Sequence, residues 1–163
     1  MESPQGMSRL EWVLVTGVFA LTLFGTGIAT SAARERARDF KRLADMARLQ
    51  SALELHFNNT NAYPSTTGEI ELGGAAARCL GANGFQPACP KDQAIFLQNV
   101  PAQTRIGLGS AFALYAYQGN EQAYVIRLSL ERGWPELGIA KGGTLCLRSG
   151  KAPVLSPTGQ CTL

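Results

Sequence analysis

A long uncharged stretch near the beginning of the chain constrains its fold more than any other feature. From Trp12 to Ala33 the sequence WVLVTGVFALTLFGTGIATSAA contains no Asp, Glu, Lys or Arg. A helix needs about 20 such residues to cross the hydrocarbon core of a bilayer. A helix on the surface of a water-soluble core carries a polar stripe, and this run shows none. The sequence therefore predicts a helix that enters a membrane.

The same run has a second interpretation, which is a secretory signal that is cut off. Ser31, Ala32 and Ala33 are small residues at the spacing that a signal peptidase accepts, and Arg9 supplies a basic residue before the run. The apolar region of a signal peptide is only about 7–15 residues long, however, and acidic Glu11 adjoins this longer run. We expect a retained anchor, and the cleaved signal is the alternative.

Glu11 is the most informative single residue in this region. A carboxylate beside a membrane-spanning segment is costly unless it is paired, so Glu11 is a candidate functional residue that needs a cationic partner. A simple interfacial charge at the membrane edge is the alternative interpretation. Glu11 is also the fifth residue counted from Met7, which directly follows Gly6.

This arrangement resembles the processing motif of type IV prepilins. In that family a glycine precedes the cut, an apolar residue becomes the new N-terminus, and a glutamate is the fifth residue of the mature chain. The resemblance implies that a prepilin peptidase cuts between Gly6 and Met7 and that the new amine is methylated. It also implies that Glu11 pairs with the Met7 amine of a neighbouring subunit during assembly, where a low dielectric strengthens the attraction.

The helix is expected to continue beyond the membrane, because residues 34–60 contain neither Pro nor Gly. Residues on one face of this segment recur at three- and four-residue steps, which predicts a single stripe for a sheet to cover. They are Leu43, Met46, Gln50, Leu53 and Phe57, with Ala47 and Leu49 beside them. The asparagine-rich turn at 58–61 and the following Tyr63-Pro64 also resemble the pattern of pilins and pseudopilins.

Residues 61–163 are expected to form a small antiparallel β-sheet head. Apolar and polar residues alternate over 124–131 and over 112–116, and Gly119-Asn120 between these runs is a hairpin turn signal. Residues 94–97 and 145–148 are candidates for further strands.

A sheet of three or four strands is too thin to be stable alone, so we expect it to pack on the helix stripe around Leu53. The Gly-rich segments 68–90 and 133–143 are expected to be surface loops. The predicted fold class is therefore α+β, with a long N-terminal helix on a small antiparallel sheet, as in pilins.

Four cysteines lie between residues 79 and 161, and no two of them form a C-x-x-C unit. This spacing is poor for a zinc site. An even count favours two disulfides in an oxidising compartment, most simply Cys79 with Cys89 and Cys146 with Cys161, although four cysteines allow three connectivities. Free thiols in a cytosolic core are the alternative.

Five basic residues follow the uncharged run closely: Arg34, Arg36, Arg38, Lys41 and Arg42. The positive-inside rule would keep them in the cytoplasm. The cysteines favour an oxidising compartment for the same part of the chain. We expect a single pass through the cytoplasmic membrane with the C-terminal head outside.

The sequence contains no recognisable catalytic, cofactor or metal motif. His56, the sole histidine, falls on a predicted helix, where packing or solvent contact is its expected role. Glu69, Glu71 and Asp92 are too scattered for a calcium site. The net charge of +3, with no basic and aromatic residues interleaved on one face, predicts no nucleic-acid partner. We expect no enzymatic activity, no cofactor and no metal.

These features predict a leader over 1–6, a transmembrane and assembly helix over 7–33, its amphipathic continuation over 34–60 and a head over 61–163. The expected function is that of a pilin or pseudopilin, anchored in the membrane and then built into an extracellular or periplasmic filament. Its expected partners are other pilin-like subunits, a prepilin peptidase, a membrane assembly platform and membrane lipid. A secreted or membrane-tethered binding domain that forms no filament is the alternative function.

Overall fold

The computed structural model describes residues 8–103, 114–139 and 142–163, with the side chains of 24–32 and of residue 137 left aside. One long helix, α1, extends over Arg9–Thr60, and short antiparallel strands follow it. The predicted α+β class is therefore confirmed. The chain divides into two compact units, one that ends at Ala37 and one over Arg38–Leu163.

The first unit contains the beginning of α1. Uninterrupted helical backbone follows Arg9, because the sequence offers no proline in this region and isolated glycines are tolerated in a helix. Within the part of the chain that the structure describes, no helix has both the length and the apolar character needed to cross a membrane. The transmembrane interpretation of residues 7–33 stays a prediction.

The end of α1 lies where the asparagine-rich turn predicted it. Asn61 adopts a left-handed backbone conformation with φ 57°, and its N–H donates to the carbonyl of Phe57 at 2.7 Å. Asparagine accepts this conformation more readily than other residues with a Cβ, so it ends the helix at low cost. The chain then turns back through Tyr63, whose N–H donates to the carbonyl of Glu121.

Eight strands follow α1 in the described residues, all in antiparallel pairs. They are β1 (Ile70–Glu71), β2 (Cys79–Gly81), β3 (Gly84–Gln86), β4 (Ile95–Leu97), β5 (Ala116–Gly119), β6 (Tyr124–Leu130), β7 (Gly143–Arg148) and β8 (Val154–Ser156). One sheet has five strands in the order β1-β5-β6-β7-β8, and a second has three in the order β3-β2-β4.

The structure confirms the predicted hairpin of β5 and β6 and the predicted strands β4 and β7. The prediction of three or four strands was too low, and the prediction of a surface loop over 68–90 was wrong because β1, β2 and β3 lie there. These strands have two or three residues each, too few to show an alternating pattern. Of the strand predicted over 112–116, residues 112 and 113 lie outside the described residues. Residues 114 and 115 belong to no strand, and β5 begins only at Ala116.

One core lies between α1 and the sheets. The helix contributes the fully buried Met46, Leu49 and Leu53, and β6 contributes Ile126 and Leu128. Leu43 and Phe57 pack at the edge of this core, as members of the predicted stripe. Ala47, which was expected beside the stripe, is instead exposed, and Ala52 is buried.

The opposite face of β6 is also covered. Val125 was expected on the solvent side of an alternating strand, yet it is only 3% exposed. It packs with Cys146 on β7 and with Cys161 from the C-terminal segment. The predicted alternation fails here because the disulfide brings that segment across the outer face of the sheet.

Candidate functional site

The processing residues Gly6 and Met7 lie outside the described residues, and the description begins at Ser8. Ser8 directly precedes α1, and Glu11 lies in the first helical turn. The N–H of Ser8 donates to Oε2 of Glu11 at 2.6 Å, and the N–H of Glu11 donates to Oγ of Ser8 at 3.3 Å. These reciprocal bonds form a capping box, which satisfies two backbone groups that the helix leaves unpaired.

The capping box gives Glu11 an intramolecular partner that sequence analysis missed. The signal is present as Ser8-x-x-Glu11 directly before an apolar run, although the same position beside that run also predicts an ion pair or an interfacial charge. The hydrogen bond uses Oε2, and Oε1 has no hydrogen-bond partner within the described residues. One oxygen of the carboxylate is thus held by its own chain, and the Glu11 side chain as a whole is exposed.

The helix surface over Leu10–Leu23 is apolar and exposed. Nine large apolar side chains there have between 50% and 73% of their surface exposed: Leu10, Trp12, Val13, Leu14, Val15, Val18, Phe19, Leu21 and Leu23. Their positions cover every direction around the helix, because successive residues are about 100° apart. A water-soluble monomer rarely exposes such a patch.

The polar side chains on this surface bond to their own helix. Oγ1 of Thr16 donates to the carbonyl of Trp12 at 2.7 Å, and Oγ1 of Thr22 donates to the carbonyl of Phe19 at 2.8 Å. Each hydroxyl therefore needs no water or neighbouring group to satisfy its donor. The first helical turns present an apolar exterior, with the charged side chains of Arg9 and Glu11 at its beginning.

A buried ionic cluster joins α1 to the end of β6 in the head. The side chain of Asp39 is fully buried, and its carboxylate accepts hydrogen bonds from the N–H of Glu131 and the N–H of Arg132 at 2.9–3.1 Å. Nη1 of Arg42 donates to Oδ1 of Asp39 at 2.7 Å, and its Nη2 lies 2.8 Å from Oε1 of Glu131. Nε of Arg38 donates to the same Glu131 oxygen at 2.8 Å.

This cluster is electrically balanced, with two arginines and two carboxylates. The hydrogen bond from Arg38 holds the pKa of the Glu131 carboxyl below its usual value, and the charge of Arg42 acts in the same direction. Burial of Glu131 opposes both effects. Each charge has a partner of opposite sign, so the removal of one side chain would leave an uncompensated buried charge.

Both disulfides that the spacing favoured are present. Cys79 bonds to Cys89 across a sequence separation of 10, and Cys146 bonds to Cys161 across 15. No free cysteine occurs among the described residues. The first bond ties β2 to the loop between β3 and β4, and the second ties β7 to the C-terminal segment.

His56 is buried rather than exposed. Its Nδ1 lies 2.8 Å from the carbonyl of Ala62, and its ring packs edge-on to Phe96 with centroids 5.5 Å apart. The ring borders an open cleft of about 590 Å³, but Nε2 is enclosed and has no partner in the described part of the chain. A ligand in the cleft would not reach this nitrogen, which fits the predicted packing role.

The described residues hold no group of three or more His, Cys, Asp or Glu side chains placed to bind a metal ion. The candidate site is therefore the first part of α1, where an apolar surface and one half-engaged carboxylate coincide. Comparisons with known protein families, curated proteins and solved structures find no match for this chain.

Proposed function

We propose that this chain is a type IV pilin-like subunit, held in the cytoplasmic membrane by the first part of α1 and then assembled into an extracellular or periplasmic filament. The observation that carries the proposal is the exposed apolar surface over Leu10–Leu23 with Glu11 at its beginning. That surface has no cover within the described chain, so its partner is lipid or another protein.

The distribution of the apolar residues favours cover on all sides. A docking helix of a soluble complex needs only one apolar stripe, because its other face stays in water. Here Val13, Val15 and Leu14 point in three different directions and are each at least half exposed. A bilayer surrounds a helix completely, and so does a bundle of like helices in the centre of a filament.

Glu11 supplies the assembly contact in this proposal. Its Oε2 accepts a hydrogen bond from the N–H of Ser8. In the filament, Oε1 accepts a hydrogen bond from the charged amine of Met7 on the neighbouring subunit. The attraction between these two charges is several times stronger among apolar helices than in water. The pairing also removes the cost of an unpaired carboxylate at the edge of an apolar surface.

The disulfides support a head on the oxidising side of the membrane. Two intact bonds, with no free thiol among the described residues, are typical of periplasmic and extracellular proteins. We propose that a pilus, a type II secretion pseudopilus and a related filament are equally compatible with this head. A tethered binding domain that forms no filament is the competing proposal.

Intact-mass measurement of protein extracted from membranes tests the proposal. We expect a mature chain that begins at Met7, with one added methyl group on its amine. The same protein should be recovered in filaments that are sheared from cells or purified from the periplasm. A mature chain that begins at Arg34, or one that retains Glu2, would contradict processing by a prepilin peptidase.

A further inference from the structure

Four of the five basic residues that follow the uncharged run fall into two groups in the structure. Arg38 and Arg42 are bound to Glu131 and therefore belong to the ionic cluster of the head. Arg34 and Arg36 are exposed, and neither has an ion pair within the described residues. Two unneutralised guanidinium groups thus directly follow the uncharged stretch.

The positions of Arg34 and Arg36 along the helix match the boundary of a bilayer. The uncharged helical run over 12–33 is about 33 Å long at 1.5 Å per residue, and the hydrocarbon core of a bilayer is about 30 Å thick. Arg34 and Arg36 follow this run by one and three residues, or about 1.5 and 4.5 Å of helix. Both side chains are long enough to reach the level of lipid phosphates.

The beginning of the uncharged run has a residue that is typical of the opposite membrane boundary. Trp12 is the first residue of the uncharged stretch and is 57% exposed. Tryptophan is enriched at the level of lipid headgroups, where its ring is partly in an apolar and partly in a polar environment. An aromatic residue at one end and two arginines at the other therefore bracket a stretch of bilayer length.

We propose that Arg34 and Arg36 bind the phosphates of anionic phospholipids in the leaflet from which the head emerges. This inference rests on the proposed membrane anchoring of α1. Guanidinium groups form paired hydrogen bonds with phosphate oxygens, which makes arginine well suited to this contact. Arg38 and Arg42 do not contribute, because the head has already neutralised them.

Lipid binding at this position would fix the depth of the unassembled subunit. Each basic residue near an anionic bilayer contributes about 1 kcal/mol, which corresponds to roughly fivefold in local lipid preference. The lipid contact is lost when the subunit leaves the bilayer. Anionic lipid therefore favours the subunit in the membrane over the subunit in the filament.

Spin-label spectroscopy on the full-length protein tests the proposal. The protein is reconstituted in phosphatidylcholine vesicles that contain a trace of spin-labelled phosphatidylglycerol or spin-labelled phosphatidylcholine. The motionally restricted fraction of each label measures its association with the helix. We expect the anionic label to associate severalfold more strongly than the zwitterionic label, and we expect about 0.5 M salt to reduce the difference because it screens exposed charges.

Two double variants identify the residues responsible. R34Q/R36Q should reduce the preference for the anionic label to nearly one. K91Q/K151Q removes the same charge from two exposed lysines of the head and should leave the preference unchanged. Equal losses in both variants would overturn the proposal, because net charge and not the position of the arginines would then determine the preference.

The outcomes also separate this inference from the proposed function. A wild-type protein that resists alkaline extraction from vesicles, yet shows no preference for the anionic label, would overturn lipid binding and leave membrane anchoring intact. A protein that alkaline extraction releases would contradict membrane anchoring and, with it, the lipid contact. An anionic preference that persists in R34Q/R36Q would assign the contact to other residues and would also overturn the proposal.

Discussion

Ser8 and Glu11 bind each other reciprocally: the Ser8 N–H donates to Oε2 of Glu11 at 2.6 Å, and the Glu11 N–H donates to Oγ of Ser8 at 3.3 Å. The same carboxylate thus caps a helix and supplies the charge proposed for assembly. These roles can be separated by substitution, because glutamine also serves in a capping box but carries no charge.

The first prediction concerns the charge of Glu11. We expect E11Q to keep the helix cap, to insert into membranes as wild type does, and to lose at least tenfold in recovery from sheared filaments. Recovery of E11A from sheared filaments should fall to a similar extent. Immunoblots of sheared and membrane fractions measure both quantities. If E11Q enters filaments as efficiently as wild type, the charge has no role in assembly.

Ser8 provides the matched control for that experiment. S8A removes the hydroxyl that accepts the Glu11 N–H and leaves the carboxylate charged. Loss of an N-cap side chain costs about 1 kcal/mol of helix stability, confined to the first turn. We expect S8A to assemble within about fivefold of wild type, since roughly 1 kcal/mol corresponds to a factor of about five.

The second prediction concerns Asp39. D39A leaves the buried Arg42 guanidinium with one partner fewer and leaves two backbone N–H groups, those of Glu131 and Arg132, without an acceptor. Breaking a buried ion pair in this way costs about 3–5 kcal/mol. Urea unfolding of the full chain in detergent, followed by near-ultraviolet circular dichroism, measures the change. D92A, at an exposed position, should change stability by less than about 0.5 kcal/mol.

The third prediction concerns acid stability. The folded head lowers the pKa of Glu131 through the hydrogen bond from Arg38. This contribution to stability is fully present above the ordinary carboxyl pKa of 4.5 and is lost as the pH falls through the lower folded value. We expect the free energy of unfolding to decline below about pH 4.5 less steeply in E131Q than in wild type. E136Q, at an exposed position, should follow the wild-type profile.

The fourth prediction concerns the disulfide of the C-terminal segment. C146S/C161S should destabilise the head by roughly 3 kcal/mol in the chain-entropy model, because the bond closes a loop of about 15 residues. It should also expose Val125, which increases hydrogen exchange in β6. Peptide mapping without reductant should recover Cys79 with Cys89 and Cys146 with Cys161. Recovery of the crossed pairs would contradict the structure.

The sequence predicts features that depend on long or strongly periodic patterns. The helix stripe through Met46 and Leu53, its end at Asn61 and the hairpin of β5 and β6 are all visible as regular spacing or as turn residues. The second sheet could not be predicted in this way, because β2 and β3 have three residues each and gain stability from long-range pairing.

The ionic cluster was also missed, although the sequence carries a sign of it. Asp39 and Arg42 lie at the same three- and four-residue steps as Met46 and Leu49 and are buried with them. Their charges excluded them from a stripe defined by apolar residues. Their partner Glu131 follows β6 at a distance along the chain that no local pattern reveals. Their burial depends on tertiary contacts rather than on local sequence.

The ionic cluster also limits sliding of the helix along the sheet that it packs against. An apolar stripe that repeats every three or four residues could move along a sheet by one helical turn, about 5.4 Å, and still meet apolar side chains. Asp39 and Arg42 cannot make that move, because it would separate them from Glu131 and leave buried charges unpaired. A pull along this part of α1 is therefore resisted by directional ionic contacts, in a place where the apolar core alone would allow slippage.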